Sequence, residues 1–411
     1  MTEPTNALRT PAPRSTLGIL FLTVFVDLLG FGIVIPLLPY YAHRFAASGV
    51  TAGALVACYS AMQLVFAPLW GRLSDRVGRR PVMLVSLAAS TLSYALFASA
   101  TGLGMLFLSR LLAGAGGANI AVAQAFIADV TSDEERAKGM GVIGAAFGLG
   151  FVFGPAIGGL LAAYGHWAPG AAAALICGAN LVIAIVRLPE SLPSARRSMS
   201  DAPREHPLRH VGRALQHAQL TPLLVLFFVV VFAFATMETT LSLLCATYFQ
   251  LPAAQIYWLF GFMGLTMSVV QGGLIGRLAS YTDERRMVTG GCALLAIGLL
   301  ATPFAYPFAP LLVALALVAC GQGIASPTLS SLISKVSSAA EQGGVLGLSQ
   351  SMGSLARILG PLWGGLLFDW GPAGPFVSTG LLMVAATVVA ARLGRATATA
   401  AAPAPRLPAS P

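Results

Sequence analysis

The sequence has little charge, and its cysteines show no pairing pattern. Asp, Glu, Lys and Arg make up only 9% of the 411 residues and 56% are hydrophobic, whereas soluble domains are about 25% charged. This composition excludes an ordinary soluble protein. The five cysteines all fall in apolar stretches, at spacings that match neither a disulfide framework nor a zinc site. They are expected to pack as small side chains, and neither a metal nor another cofactor is predicted.

The net charge of +9 does not indicate a nucleic-acid partner, because the basic residues are spread through many short loops. About twelve apolar runs separate these loops, each close to the roughly 20 residues that a membrane-crossing helix needs. The runs are uniformly apolar and do not alternate as the strands of an outer-membrane barrel do. The sequence therefore predicts an all-α membrane protein with twelve transmembrane helices.

The basic residues favour one side of this topology. Of the 24 lysines and arginines, Arg110 and Arg357 lie within spans, and only Arg44 falls in the loops of the opposite side. Because short basic loops stay in the cytoplasm, both termini are predicted there, with an even number of spans. The polar N-terminus precedes a first apolar run of spanning length, so a cleavable signal peptide is not expected.

The second half of the chain repeats the first. "GRLSDRVGRR" from Gly71 is echoed by "GRLASYTDERR" from Gly276, and "GPAIGG" from Gly154 by "GPLWGG" from Gly360, at offsets of 205 and 206 residues. Two six-helix bundles related by an axis along the membrane normal would give this pattern. The predicted organisation is a cytoplasmic N-tail (1–15), a first six-helix bundle (16–190), a cytoplasmic linker (191–218), a second six-helix bundle (219–395) and a cytoplasmic C-tail (396–411).

Four charged residues lie within the predicted spans, where each costs about 2.5–3.5 kcal/mol even on permissive insertion scales. They are Asp27, Arg110, Glu238 and Arg357. A carboxyl kept away from water is penalised in its ionised form and can therefore carry a proton. Asp27, near the middle of the first span, is the first candidate for this role, and Glu238 is the second candidate for proton exchange or for recognising a cation. Each of these residues also has an alternative role. Asp27 could be a hydrogen-bonded acid that only stabilises the fold, Glu238 could be an acid exposed to water that takes no part in transport, and Arg357 could be structural.

Four stretches resemble signatures of a known family. G-x-L-S-D-R-x-G-R-R from Gly71 resembles the loop signature of the major facilitator superfamily. "GLGFVFGPAIGG" from Gly148, "LLGFGIVIPLLP" from Leu28 and "LSRLLAGAGGA" from Leu108 resemble signatures of its twelve-helix drug:proton antiporter branch, and the chain is similar in style to tetracycline-type exporters. The resemblance implies the major facilitator fold, a bacterial inner membrane, proton-coupled export of hydrophobic or amphiphilic drugs, and a part for Arg110 in proton coupling.

The charged turn between the second and third spans is predicted to be a conformational latch. Arg79 follows Asp75 by four residues, close enough for local pairing, and Asp129 offers a second carboxylate at the same depth. These charges would hold the outward-facing state on the cytoplasmic side, although cations here are also explained by topology alone. The predicted latch residues are Gly71, Asp75, Arg79, Arg80 and Asp129.

Glycines recur at every fourth position of the fifth span, which permits close approach of another helix, and Pro155 favours a bend. Simple helix packing is one interpretation. The family resemblance implies another, in which the glycines form a smooth contact that lets the two halves rock. The residues of this antiporter helix are Gly150, Gly154, Pro155, Gly158 and Gly159.

A duplicated bundle implies a cavity between its halves, and aromatic or flexible side chains suit hydrophobic ligands there. The same side chains commonly serve in helix packing, so both roles stay open. The predicted cavity residues are Phe31, Tyr59, Gln63, Gln124, Phe147, Phe234, Met237 and Arg357.

The resemblance to tetracycline exporters implies an acid in each of the third and ninth spans and a histidine in the eighth. This sequence lacks all three residues. The identity of the substrate therefore stays open. The sequence contains no nucleotide-binding loop of the form G-x-x-x-x-G-K-[ST]. ATP is therefore not predicted as the energy source. The alternatives are proton-linked transport of a metabolite such as a sugar or siderophore and, less favoured because the histidines and acids do not cluster, a receptor or an intramembrane enzyme. The expected partners are a small hydrophobic or amphiphilic substrate, protons and the lipid bilayer, with no nucleic acid, and the chain is expected to be a monomer.

Overall fold

The structure is a computed structural model that describes residues 14–117, 119–130, 136–192, 220–306, 308–336 and 342–400. Across these ranges the chain is helical and contains no strand. The helices are α1 Arg14–Val34, α2 Leu37–Arg44, α3 Gly49–Val77, α4 Arg79–Ala98, α5 Leu103–Gly116, α6 Asn119–Val130, α7 Arg136–Ala162, α8 Trp167–Arg187, α9 Leu220–Leu243, α10 Ala253–Val269, α11 Ile275–Tyr281, α12 Glu284–Ala301, α13 Phe308–Val336, α14 Gln342–Trp370 and α15 Gly374–Ala400.

The helices are numbered here as the twelve predicted spans. Span one joins α1 and α2 across a break at Pro36, span four joins α5 and α6 at Gly117, and span eight joins α10 and α11 through the π turn Val270–Leu274. Each other span is one helix. Within the described ranges, ten helical segments are long and apolar enough to cross a membrane, and the glycine-rich helices α7 and α14 pack at the positions predicted for spans five and eleven. The predicted all-α, multi-span membrane fold is confirmed.

The packing of the first six spans is repeated by the last six. Span one packs on spans five and six as span seven packs on spans eleven and twelve. Span three packs on spans four and six as span nine packs on spans ten and twelve. The end of the molecule that carries the turn at residues 71–80 is called the arginine-rich side below, and the end that carries the turn at residues 45–48 is called the far side.

The tight turn between spans two and three depends on one glycine. Gly78 has φ 110°, a conformation that side chains with a Cβ rarely adopt. Its N–H still donates to the Ser74 carbonyl oxygen of span two at 3.1 Å, and span three begins at the next residue. The charged residues on both sides of Gly78 are therefore held close together.

Glycines also set how closely span five approaches span one. A Cβ on Gly154 would stand 2.7 Å from the Cα of Gly32, and a Cβ on Gly150 would stand 2.8 Å from the Cβ of Leu28. Both distances are shorter than van der Waals contact, so neither position has room for a larger residue. Gly150 and Gly154 thus pack span five inside the first half, whereas the interpretation of a rocking contact placed them between the halves.

The halves meet through spans five and eight and through spans two and eleven. Gly158 and Gly159 contact Tyr257 of span eight, where a Cβ on Gly159 would lie 2.8 Å from the Tyr257 Cβ. The Tyr257 hydroxyl donates to the Ile33 carbonyl oxygen at 3.3 Å. Of the predicted antiporter glycines, this second pair is the one that contacts the other half.

Replacing Gly154 with Ala is expected to destabilise the first half, because the added Cβ meets the Gly32 backbone, which cannot rotate away. Overpacking of this kind costs about 1–3 kcal/mol and should lower the melting temperature of the purified protein in detergent. Gly104→Ala is the matched control, since no heavy atom lies within 4 Å of its added Cβ and Ala is the better helix former. Equal melting temperatures for the two variants would contradict the packing described.

Candidate substrate and proton site

A small pocket lies between the halves, enclosed by spans one, five, seven and eight. Its lining is apolar and aromatic and includes one ionisable residue, Glu238. Such a surface suits a hydrophobic ligand, with few polar groups to orient it. The lining residues are Gly32, Ile35, Pro36 and Pro155 from the first half and Phe234, Glu238, Phe260, Met263, Gly264 and Met267 from the second.

Glu238 is the acid of this pocket. Its side chain is half-buried, while its neighbours Met237 and Thr239 are only 1% and 2% exposed. Within the described part of the chain, no hydrogen-bond donor or salt-bridge partner contacts the Glu238 carboxylate. Arg357 of span eleven is close enough to interact electrostatically, but its guanidinium donates to Ser354 Oγ of its own helix at 3.3 Å.

Asp27 occupies a different environment, inside the first half and outside the pocket lining. Ser90 Oγ of span three donates to Asp27 Oδ1 at 2.9 Å, and Ser90 is 6% exposed. Tyr59, Tyr94 and Cys177 lie within electrostatic range of the carboxylate. Asp27 is therefore bonded from within its own bundle. Ser90 was not predicted, although a serine two spans along the chain at matching depth was the available signal.

Arg110 is buried in the same bundle, with 1% of its surface exposed. Its NH2 donates to Ser93 Oγ at 3.2 Å and its Nε to Ser109 Oγ at 3.4 Å. The guanidinium carbon lies 5.8 Å from the ring centre of Tyr94 and 5.7 Å from that of Phe97, within range of cation–π attraction. Hydroxyls and aromatic rings thus stabilise this charge away from water.

Tyr59 of span two lies between the charges of the two halves. Its ring centre is 5.3 Å from that of Phe31, and Gln63 Nε2 donates to the Tyr59 hydroxyl and to the Gly117 carbonyl oxygen, both at 3.4 Å. Tyr59 interacts electrostatically with Asp27 of its own half and with Arg357 of the other. Three predicted cavity residues, Phe31, Tyr59 and Gln63, therefore form one polar and aromatic cluster.

Of the other predicted cavity residues, some line the pocket and some do not. Phe234 lines the pocket, whereas Met237 is 1% exposed and packs in the core of the second half. Gln124 is exposed and outside the pocket lining, and the side chain of Phe147 lies outside the described residues. The methionines of the pocket are Met263 and Met267 instead, which sequence reasoning missed although their spacing of four residues places them on one helical face.

On the arginine-rich side, Arg79 joins two carboxylates of the first half. Its NH1 lies 2.7 Å from Asp75 Oδ1, and its Nε lies 3.0 Å from Asp129 Oδ2. Glu190, which was not predicted, accepts hydrogen bonds from the backbone N–H groups of Arg79 at 2.8 Å and Arg80 at 3.3 Å. Glu190 therefore caps the positive N-terminus of span three. At Gly71, another predicted latch residue, a Cβ would stand in open space.

The second half carries the same ion pair with its signs exchanged. Glu284 follows Arg79 by 205 residues and Lys335 follows Asp129 by 206, and Lys335 Nζ lies 2.8 Å from Glu284 Oε1. The repeat offset was the signal that could have found this pair. It ties span nine to span ten as Arg79 ties span three to span four.

On the far side, Asp369 at the end of span eleven holds the start of span two. The N–H groups of Gly49 and Val50 donate to Asp369 Oδ1 at 2.6 Å and Oδ2 at 3.0 Å. These amides begin a helix, where they have no partner within it and where its dipole is positive. Close by, Gly49 and Gly365 leave no room for a Cβ between their backbones. A carboxylate of one half thus caps a helix of the other and closes the far side.

Asp369→Ala is expected to weaken this closure, since two helix-terminal amides lose their acceptor. A lost cap costs about 0.5–2 kcal/mol, which corresponds to a rise of about 2- to 30-fold in the population with a separated far side. The distance between spin labels at Thr101 and Tyr306, both exposed on that side, measures the change in a variant without native cysteines. Asp283→Asn, at an exposed acid of the arginine-rich side, is the control. An unchanged distance distribution for Asp369→Ala would contradict the capping role.

Comparisons with known proteins agree with this arrangement. The family model described as Major Facilitator Superfamily matches residues 20–283 and 272–410. A class E tetracycline resistance protein of Escherichia coli is 34% identical over 82% of this chain and 84% of its own. Multidrug resistance protein 2 of Bacillus subtilis (strain 168) is 30% identical over 89% and 92%. The crystal structure of the human organic anion transporter MFSD10 is 29% identical, with a TM-score of 0.69 over 93% of this chain and 100% of that one.

Proposed function

The chain belongs to the Major Facilitator Superfamily, a family of membrane transporters, and we propose that it exports hydrophobic or amphiphilic compounds in exchange for protons. The observation that carries the proposal is the apolar pocket between the halves, which holds one acid at its wall while a second acid lies within the first bundle. The similarity to tetracycline and multidrug resistance proteins supports export of this substrate class.

Asp27 is the proposed proton carrier. The Ser90 hydroxyl donates a hydrogen bond to its carboxylate, which holds the group in place within the first bundle. Arg110 adds a fixed positive charge to the same bundle, and Tyr94 lies within electrostatic range of both residues. Glu238 is the second acid available for coupling. Rocking of residues 16–190 against 219–395 would carry proton and substrate in opposite directions by alternating access.

The proposed location is the bacterial inner membrane, with the arginine-rich side and both termini in the cytoplasm. In this orientation the far side, where Asp369 caps span two, faces outward. Opening of the far side requires closure of the cytoplasmic side. The latch residues proposed for that closure are Gly71, Asp75, Arg79, Arg80 and Asp129, and the pairs that Arg79 makes in this structure lie within the first half.

Transport of organic anions is the second candidate. It is supported by the similarity to the human organic anion transporter MFSD10 and by the half-buried Arg357 near the pocket. The lining itself favours the first proposal, because its one ionisable group is a carboxylate.

Growth of an efflux-deficient bacterial host across a panel of hydrophobic and amphiphilic compounds tests the proposal. Expression of the wild-type protein should raise tolerance to at least one compound, and an uncoupler should abolish the effect. Asp27→Asn should remove the protection because its amide cannot exchange a proton, while the control Asp283→Asn should protect fully. Protection by Asp27→Asn equal to that of the wild type would refute the assignment of the proton carrier.

A further inference from the structure

We propose that the arginine-rich side carries two binding sites for anionic phospholipids, one at the corner where spans three and six pack together and one where spans nine and twelve do. Each site contains two arginines, Arg80 and Arg187 in the first half and Arg285 and Arg392 in the second. These sites do not depend on what the protein transports. Only the leaflet, the cytoplasmic one, depends on the proposed orientation.

The first support is the position of the Arg80 side chain. Its NH2 donates to the Ile185 carbonyl oxygen at 2.6 Å, in the last turn of span six, where carbonyl groups lack partners within the helix. Its Nε is buried and has no hydrogen-bond partner among the described residues. Arg187 follows Ile185 by two residues, ends the helix, and is exposed without an acidic partner in the same ranges. Arg80, which the sequence placed in the latch, therefore extends toward span six of its own half and leaves donors free.

The second half repeats this corner. Arg285 follows Arg80 by 205 residues, and Arg392 follows Arg187 by the same offset. Arg285 NH1 donates to the Leu393 carbonyl oxygen of span twelve at 2.8 Å. The preceding residue, Arg392, is exposed and pairs with no acid in the described part of the chain. Each half thus holds one arginine against the end of its last span and a second arginine beside it.

Membrane topology alone does not explain why all four positions are positive. Short cytoplasmic loops need basic residues, but not at fixed places. In the neighbouring ion pair the two halves have exchanged signs, with Arg79 and Asp129 in the first and Glu284 and Lys335 in the second. At the two corners, by contrast, the sign is the same in both halves. This is the pattern expected where both corners bind the same anion.

The acids next to these arginines in the sequence are engaged with other groups. Glu190 accepts hydrogen bonds from the backbone N–H groups of Arg79 and Arg80. Glu284 pairs with Lys335. The counter-charge at each corner is therefore supplied by an anion from outside the protein. Guanidinium groups bind phosphate through paired N–H donors.

Apolar side chains below the arginines favour a lipid over a soluble anion. Anionic headgroups are attracted to basic residues at the cytoplasmic surface, and their acyl chains need an apolar surface that continues into the bilayer. The last turns before Arg187 and Arg392 provide one on each outer helix. The exposed residues there are Val182, Ile183 and Val186 on span six and Val384, Val388 and Val389 on span twelve.

Native mass spectrometry of the purified full-length protein, titrated with dioleoyl phosphatidylglycerol, tests the sites. The wild type should bind two molecules more tightly than it binds dioleoyl phosphatidylcholine, which has the same chains and no net charge. The double variant Arg187→Gln, Arg392→Gln should bind phosphatidylglycerol about 5-fold more weakly at each site, the usual contribution of one basic residue near an anionic lipid. Arg187→Gln alone should leave one site intact. Equal affinity of the wild type for the two lipids would overturn the proposal.

The matched control is the double variant Arg72→Gln, Arg277→Gln. These arginines are also separated by 205 residues and exposed, but they belong to spans two and eight and not to the spans that form the corners. The control therefore removes the same charge from the same side and should bind phosphatidylglycerol as the wild type does. Equal weakening in the two double variants would reduce the effect to net charge and refute the sites.

Inorganic phosphate distinguishes a lipid from a soluble anion. Phosphatidylglycerol should raise the melting temperature of the wild type in detergent, and excess phosphate should reduce this rise no more than sodium chloride of equal ionic strength. The measurement needs no variant, so it applies even if the substituted proteins do not fold. Displacement of the lipid by phosphate beyond the effect of salt would show a site for a soluble anion and contradict the proposal. Export is tested separately by the growth assay, so either proposal can fail without the other.

Discussion

A charged group inside a bilayer needs a hydrogen-bond partner, a counter-charge or a ligand, because hydrocarbon supplies none of these. The four charges within the spans meet this requirement in different ways. Asp27 accepts a hydrogen bond from Ser90, and Arg110 donates to serine hydroxyls beneath aromatic rings. Glu238 faces the pocket between the halves, with Arg357 within electrostatic range. The positions of these groups define where a substrate and a proton can be held.

The second constraint is that two bundles must touch firmly and still separate. Gly158, Gly159 and Gly365 let backbones and one tyrosine approach closely across the contact, and Leu243, Tyr257 and Phe368 of the second half pack into an apolar cluster of the first. Among the described residues, the hydrogen bonds between the halves include the cap of span two by Asp369, at 2.6 and 3.0 Å, and the bond from the Tyr257 hydroxyl to the Ile33 carbonyl oxygen, at 3.3 Å. Inside each half, by contrast, Gly150 and Gly154 pack span five tightly on span one. This distribution suits two rigid bodies with a contact that can break.

Much of the fold could be predicted because it follows from the lengths of apolar runs and from a repeat that keeps its register over 206 residues. The charges within the spans were equally visible. What the sequence does not contain is the rotation of each helix about its axis, so Met237 was expected at a cavity and lies in the core, while Met263 and Met267 line the pocket. Contacts between distant residues, such as Asp369 with Gly49, depend on how the halves dock and have no local signal.

The most direct test of this account follows protons and substrate together. Purified protein is reconstituted in liposomes with a preset pH gradient and an internal pH dye, and tetraphenylphosphonium is then added. The account predicts that the wild type dissipates the gradient when the cation is present, and that Asp27→Asn binds the cation but leaves the gradient intact. A gradient untouched by the cation in wild-type liposomes, or dissipated equally by Asp27→Asn, would contradict exchange through a proton held within the first bundle.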